Sequence, residues 1–140
     1  MQMHPDDKTY AIERVHAILE NNKIIGVGQW SAGQGTIDDF NNRMQVNDIV
    51  AIKTGKQLIA LVQVIGGAYT VANDETDLNW IEHRRPIRVL DWELRETEFS
   101  YPRGTLKICS SETAEATKTI KLWHKRVEQS LKKREIPLTV

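Results

Sequence analysis

Between Asp48 and Gly67 the chain reads DIVAIKTGKQLIALVQVIGG, two runs of β-branched and aliphatic residues separated by Thr54-Gly55-Lys56. Apolar runs of that length joined by a short glycine-bearing link predict a β-hairpin, and the Gly66-Gly67 pair ends its second strand. Two more strands are expected on either side, one in KIIGVGQW and one in RPIRVLDWELR, with a short TLKI strand after Pro102. RPIRVLDWELR is a strand with both faces partly buried, since Ile87 and Val89 alternate with Arg88, Leu90 and Trp92.

Helical periodicity appears in three places. Ile12, Val15, Ile18 and Leu19 share a face in the segment from Asp6 to Glu20, with Asp6 and Asp7 at its positive end and Asn21-Asn22 stopping it. Thr36 is expected to cap a short helix, TIDDFNNRM, that buries Ile37, Phe40 and Met44. From Ser111 onward, Ala116, Ile120, Trp123, Val127 and Leu131 form one stripe that must pack on the sheet. Between the hairpin and RPIRVLDWELR, Tyr69 to Glu82 is a polar surface loop ending on Trp80. This order does not alternate as parallel α/β units do. It predicts an α+β domain with a small, strongly curved mixed or antiparallel sheet and helices packed outside it.

The 140 residues suffice for one domain, not two. Lys plus Arg is 19 and Asp plus Glu is 19, so the global charge gives no argument for a polyanionic partner. The C-terminal helix is locally basic, which fits cations on a solvated face near a helix C-terminus. The single Cys109 excludes an internal disulfide and fits a reducing compartment. His4, His16, His83 and His124 lack metal-ligand spacing, so neither a metal nor a cofactor is expected. The longest apolar run, around Leu58 to Ile65, is far short of a membrane span, and MQMHPDDK lacks the pattern of a signal peptide. A cytoplasmic protein is the expectation.

The stretch Gly26 to Gly35, GVGQWSAGQG, half-satisfies three active-site motifs and completes none. Ser31 stands at the third glycine of a dinucleotide fingerprint, and Gln34-Gly35 replaces the Lys-Ser/Thr of a P-loop. Gln29 replaces the first glycine of a nucleophile elbow. What remains is a glycine-rich loop leaving a strand and carrying Trp30. Trp123 and Trp92 are assigned to the core by their positions on a helical stripe and a strand. Trp30 and Trp80 sit in loops, where a core residue is not required, and two aromatic walls from separate loops form a slot for a flat ligand. Stacking on one aromatic face contributes about 1–3 kcal/mol per base, while extracting a base from a duplex costs roughly a few kcal/mol. One ring barely offsets extraction; two rings with hydrogen bonds to the base edge do.

With Trp30-Ser31 after a strand, Asn47-Asp48-Ile49-Val50 entering a hairpin, Gly66-Gly67-Ala68-Tyr69 leaving it, and His83-Arg84-Arg85 running on to Trp92, the chain resembles PUA-superfamily domains of the EVE and YTH kind. The pattern is most similar to the N-terminal specificity domain of McrB-type, modification-dependent restriction systems. It spans about residues 24–93, roughly half the chain, within a single domain taken as 1–140 whose C-terminal helix covers about 111–134. The resemblance implies a PUA-like curved sheet or barrel flanked by helices. It also implies a non-catalytic module that flips a methylated base of DNA into an aromatic cage, here Trp30, Trp80 and the weaker third wall Tyr69. Cleavage and nucleotide hydrolysis would then belong to an attached motor domain and a nuclease subunit. No Glu-x-Lys, the usual nuclease signature, occurs in the chain.

The asparagine that reads the base edge in YTH domains has no clear counterpart, so methyladenine and methylcytosine both stay open. Gln29, Ser31 and Asp48 are candidate polar readers, with turn hydrogen bonding as the alternative. His83, Arg84 and Arg85 are candidate phosphate-binding residues, with intramolecular pairing to Glu82 or Asp91 as the rival account. Two other functions are weighed: the same fold binding modified or unpaired bases of RNA, and a small hydrolase using Ser31 with His83.

Overall fold

The computed structural model describes residues 1–3, 11–29, 33–55, 57–93, 105–109 and 114–140. Helix α1 (Ala11–Ala17) runs on as a π-helical turn, Ile18–Asn22. It ends at Lys23, whose φ of 55° is left-handed and whose N–H closes on the Ile18 carbonyl. Val15, Ile18 and Leu19 are buried as their spacing predicts, whereas Ile12 is exposed. Strand β1 (Ile24–Val27) follows, buried throughout. Helix α2 (Gln34–Asp38) continues as a second π-helical turn, Asp39–Arg43. It buries Ile37, Phe40 and Met44. It begins before Thr36, at the N-cap Gly33, which makes no side-chain capping bond. Thr36 is therefore inside the helix rather than its cap.

The hairpin is β2 (Ile49–Thr54) and β3 (Gln57–Val64), with Thr54 opposite Gln57. Gly55 sits at the tip with φ +59°, a conformation that favours glycine. A two-residue strand within the expected surface loop, β4 (Tyr69–Thr70), and the ten-residue β5 (His83–Trp92) complete the sheet. The TLKI segment is not a strand; Thr105 accepts a backbone hydrogen bond from Gln2. Helix α3 (Glu115–Lys133) is the long C-terminal helix, and the expected start at Ser111 lies outside the described residues.

The strand order is β1-β5-β3-β2, with β4 also on β5, and these five strands pair antiparallel. The result is an α+β architecture built on a curled antiparallel half-barrel. Its curl has local causes. The β2–β3 pairing shifts between Ile52 and Lys53, and the β3–β5 pairing shifts between Leu61 and Val62. Bulges of this kind bend a strand and increase its twist. The first shift also lets Ile59 and Ala60 both enter the main core while Leu58 joins the opposite face.

The two faces of the hairpin carry separate cores. Val50, Ile52, Val62 and Val64 meet α1, β1 and α2 through Val15, Leu19, Ile25 and Phe40. Ala51, Leu58 and Leu61 meet the α3 stripe of Ala116, Trp123, Val127 and Leu131. Trp123 is a core residue as expected, and its indole N–H donates to Asp91 at 2.7 Å. Trp92 is partly buried, stacked on His16 with ring centroids 4.0 Å apart.

β5 is the strand on which the sheet depends, since it pairs with β1 along one edge and with β3 and then β4 along the other. The break between β3 and β4 falls where Pro86 occupies β5. A Cβ on Gly66 would meet the Pro86 ring at 2.5 Å, so the chain passes the ring only as glycine. On the other edge β1 lies so close that a Cβ on Gly26 would stand 2.6 Å from the His83 carbonyl oxygen.

Gly26→Ala is expected to destabilise the fold by roughly 1–3 kcal/mol, because the added methyl meets backbone. Gly35→Ala, in α2 with nothing within 4 Å of the new Cβ, is expected to stabilise it by about 0.4–1 kcal/mol. Urea unfolding of the two variants checks both signs.

Candidate functional site

Three polar side chains in a row, His83, Arg84 and Arg85, open β5, and all are buried, 8%, 7% and 4% exposed. Neighbouring residues of a strand point to opposite faces, so Arg84 and Arg85 reach different parts of the molecule. A buried guanidinium needs a hydrogen-bond partner for its donors. Each of these finds its partners in a loop.

Arg85 fastens the end of α2. Its Nε donates to the Phe40 carbonyl at 2.8 Å, and its Nη2 donates to Asn41 and Met44 carbonyls at 3.0 and 2.6 Å. Nη1 donates to Gly66 at 3.2 Å, on the turn between β3 and β4. The last carbonyls of a helix lack intrahelical partners, and here a cation supplies them, the sign favoured at a helix C-terminus. The guanidinium also lies 5.8 Å from the Phe40 ring centroid. Burial lowers the Arg85 pKa, without bringing a guanidinium near neutrality.

Arg84 fastens the loop between β4 and β5. Nε donates to Ile81 at 2.8 Å, and Nη2 donates to the Leu78 carbonyl and to Asp74. Asp74 in turn accepts from the Thr76 hydroxyl and backbone N–H. The Thr76 hydroxyl first, then Arg84, hold the Asp74 carboxyl down at about 2 from an ordinary 3.8. The segment carrying Trp80 is thus a hydrogen-bonded turn.

His83 joins a third set of groups. Its Nε2 lies 2.7 Å from Gln29 Oε1, at the end of β1. Its Nδ1 lies 3.2 Å from Thr70 Oγ1 on β4 and 3.4 Å from Asn41 Nδ2 at the end of α2. Three other segments of the chain therefore converge on one imidazole.

Trp80 is partly buried against the main core. The chain approaching Trp30 runs directly beside it, for a Cβ on Gly28 would stand 2.7 Å from the Trp80 carbonyl oxygen. Tyr69, paired with Arg84 in the β4–β5 register, is 44% exposed. Trp30 and Ser31 lie outside the described residues.

His83, Arg84 and Arg85, the candidate phosphate-binding residues, all make contacts within the fold. Both guanidiniums donate within the fold, Arg85 to carbonyls and Arg84 to carbonyls and Asp74. The rival account of intramolecular pairing describes them, with Asp74 and backbone carbonyls as partners in place of Glu82 or Asp91. Asp48 has the turn role: its carboxylate accepts from the Gln45 N–H at 2.9 Å. Gln29 belongs to the His83 cluster. Asn41, Thr70 and Asp74 escaped the sequence reading. The Asp74-x-Thr76 spacing is a legible Asx-turn signal, whereas Asn41 and Thr70 meet His83 only through tertiary pairing.

A cavity of about 450 Å³ lies elsewhere, between β2, the 105–109 segment and α3, lined by Met44, Ile49, Val50, Leu106 and Ile120 among others. No residue of the His83 cluster lines it. Among the described residues there is no group of three or more His, Cys, Asp or Glu placed to hold a metal ion. No described helix is long and apolar enough to cross a membrane. No protein-family model, curated protein or solved structure matches the chain.

Arg85→Lys keeps the charge but concentrates its donors at one point. It leaves carbonyls of α2 unpartnered at about 1–3 kcal/mol each, so a total loss of roughly 2–4 kcal/mol is expected in chemical unfolding. Because the folded-state Asp74 pKa is depressed, its contribution to the Trp80 loop is present above the ordinary carboxylate range and is lost as pH falls through about 2. Carbon-13 NMR of the Asp74 carboxyl should show that low midpoint; a midpoint near 3.8 would mean the Thr76 and Arg84 contacts are not made in solution.

Proposed function

We propose that this chain is a non-catalytic recognition module for methylated DNA. It draws a modified base out of the duplex and holds it against aromatic side chains at the head of β5, within a PUA-like fold of the EVE and YTH kind. The observation that carries this reading is the convergence at His83. Gln29, one residue before Trp30, and Thr70, one residue after Tyr69, are tied to the same imidazole, while Gly28 packs against the Trp80 backbone. Two of the candidate aromatic residues, Tyr69 and Trp80, thus lie on segments tied to the head of β5.

Rigidity matters because base extraction costs roughly a few kcal/mol. Walls already fixed in the free protein lose little further freedom on binding. Arg84 and Arg85 serve this arrangement from behind, as supports of the two loops rather than as ligands of the phosphates. The phosphate contacts that position a strand then fall to other side chains. The rival hydrolase asks His83 to act as the base for Ser31, yet both of its ring nitrogens already face Gln29, Thr70 and Asn41. In the larger system a motor domain and a nuclease would supply hydrolysis and cleavage.

Competition binding with a methylated duplex, its unmethylated twin and a methylated single-stranded RNA tests the reading. The methylated duplex is expected to win, and Trp80→Ala or Trp30→Ala to weaken it by about 1–3 kcal/mol. Preference for the RNA would move the module to RNA recognition, and equal binding of the two duplexes would overturn base recognition.

A further inference from the structure

We infer that the cavity between β2, the 105–109 segment and α3 is a binding site in its own right, one that takes a slender aliphatic carboxylate with its chain among the apolar side chains and its head group toward Lys53. This site stands apart from the head of β5 and does not depend on base recognition.

The cavity follows from the residues of the two elements that bound it. Every second residue of a strand faces the same way, and Ile49, Ala51 and Lys53 of β2 all line the space. From α3 it is met by Ala116 and Ile120, one turn apart on the buried stripe. Two of these side chains, Ala51 and Ala116, are single methyl groups, both buried in the same apolar cluster. Leu58, Leu61, Trp123 and Val127 hold strand and helix together, while the small residues leave room of about 450 Å³. That volume lies within the roughly 300–1,000 Å³ of small-molecule sites.

The lining selects the ligand. Met44, Val50 and Leu106 close the space with Ile49 and Ile120, and no Phe, Tyr, Trp or His is among the described lining residues. Without an aromatic face there is no stacking partner for a flat ring, so an aliphatic chain is the better match. The charges of the lining are uneven. Asp39 is paired with Arg43 at 3.4 Å, and Asp48 accepts from the Gln45 N–H at 2.9 Å. Lys53 is a buried cation, 4% exposed, whose Nζ donates to Gln2 Oε1 at 2.7 Å and to the Gly55 carbonyl at 3.2 Å. Burial lowers its pKa. Burial, and then the charge of Lys53, hold the Met1 amine down at about 5. Met1 also lines the space, so the field of Lys53 reaches the cavity wall. A carboxylate placed in that field is attracted more strongly than it is in water, because the surroundings are partly desolvated.

The test is a methyl proton–carbon NMR titration of the full chain with octanoate, 1-octanol and octylammonium. Octanoate is expected to shift the methyl signals of Ile49, Leu106 and Ile120 saturably. It should bind about tenfold or more tightly than octanol, the scale of one hydrogen bond to a charged group, and octylammonium should bind least. Lys53→Met keeps the apolar stem of the side chain and should bring octanoate to the level of octanol or below, while Lys53→Arg should retain the preference. Ala116→Leu fills the space from the helix and should abolish binding of octanoate and octanol together. No saturable shift at these methyls, octylammonium binding as tightly as octanoate, or a preference unmoved by Lys53→Met would overturn the inference. Unchanged octanoate binding in Ala116→Leu would place the ligand elsewhere and overturn it too. The comparison of the three probes on the unaltered chain decides the matter even where a variant fails to fold.

Discussion

Three consecutive polar side chains are buried at the head of the strand that joins both halves of the sheet. Water is excluded from them, so their hydrogen-bonding groups must be matched from within. Several irregular segments are recruited to do so. The end of α2 supplies carbonyls to Arg85, the β4–β5 loop supplies carbonyls and Asp74 to Arg84, and β1, α2 and β4 supply side chains to His83. Segments that sequence alone would leave as separate surface loops become one surface because a single tripeptide needs all of them. Glycines at 26, 28 and 66 permit the close approaches that this requires.

This division of labour separates support from recognition. Arginines beside a proposed base-binding site invite a phosphate-binding role, and the motif reading weighed that role against intramolecular pairing. At 7% and 4% exposure, both side chains are engaged within the fold. A guanidinium whose donors satisfy helix-terminal carbonyls cannot leave them for a phosphate without exposing those carbonyls to an unpartnered state. Arg84 and Arg85 support the loops they hold, and Gln29 and Tyr69 are exposed beside the partly buried Trp80.

Much of the fold was legible from spacing. The hairpin, the long β5, the α3 stripe and the buried faces of the two N-terminal helices follow from periodicities of two and of 3.6. The errors have local reasons. Thr36 looked like a cap because hydroxyls favour that position, but the helix begins at Gly33. β4 was hidden in a polar loop because two residues carry no period, and it exists only where Pro86 has broken the β3 pairing and β5 continues beyond it. For the site, the sequence named the participants Gln29, His83 and Trp80 but not their relations. The convergence on His83 joins positions 29, 41, 70 and 83, and no local pattern relates them.

The central claim is that the head of β5, rather than the cavity between β2 and α3, is the surface that meets nucleic acid. Backbone NMR of the labelled chain during titration with a methylated duplex tests it most directly. The account predicts shifts concentrated at Gln29, Thr70, Trp80 and their neighbours, with Ile49, Leu106 and Ile120 unmoved. Shifts confined to the residues lining that cavity, or none at all at saturating duplex, would contradict it.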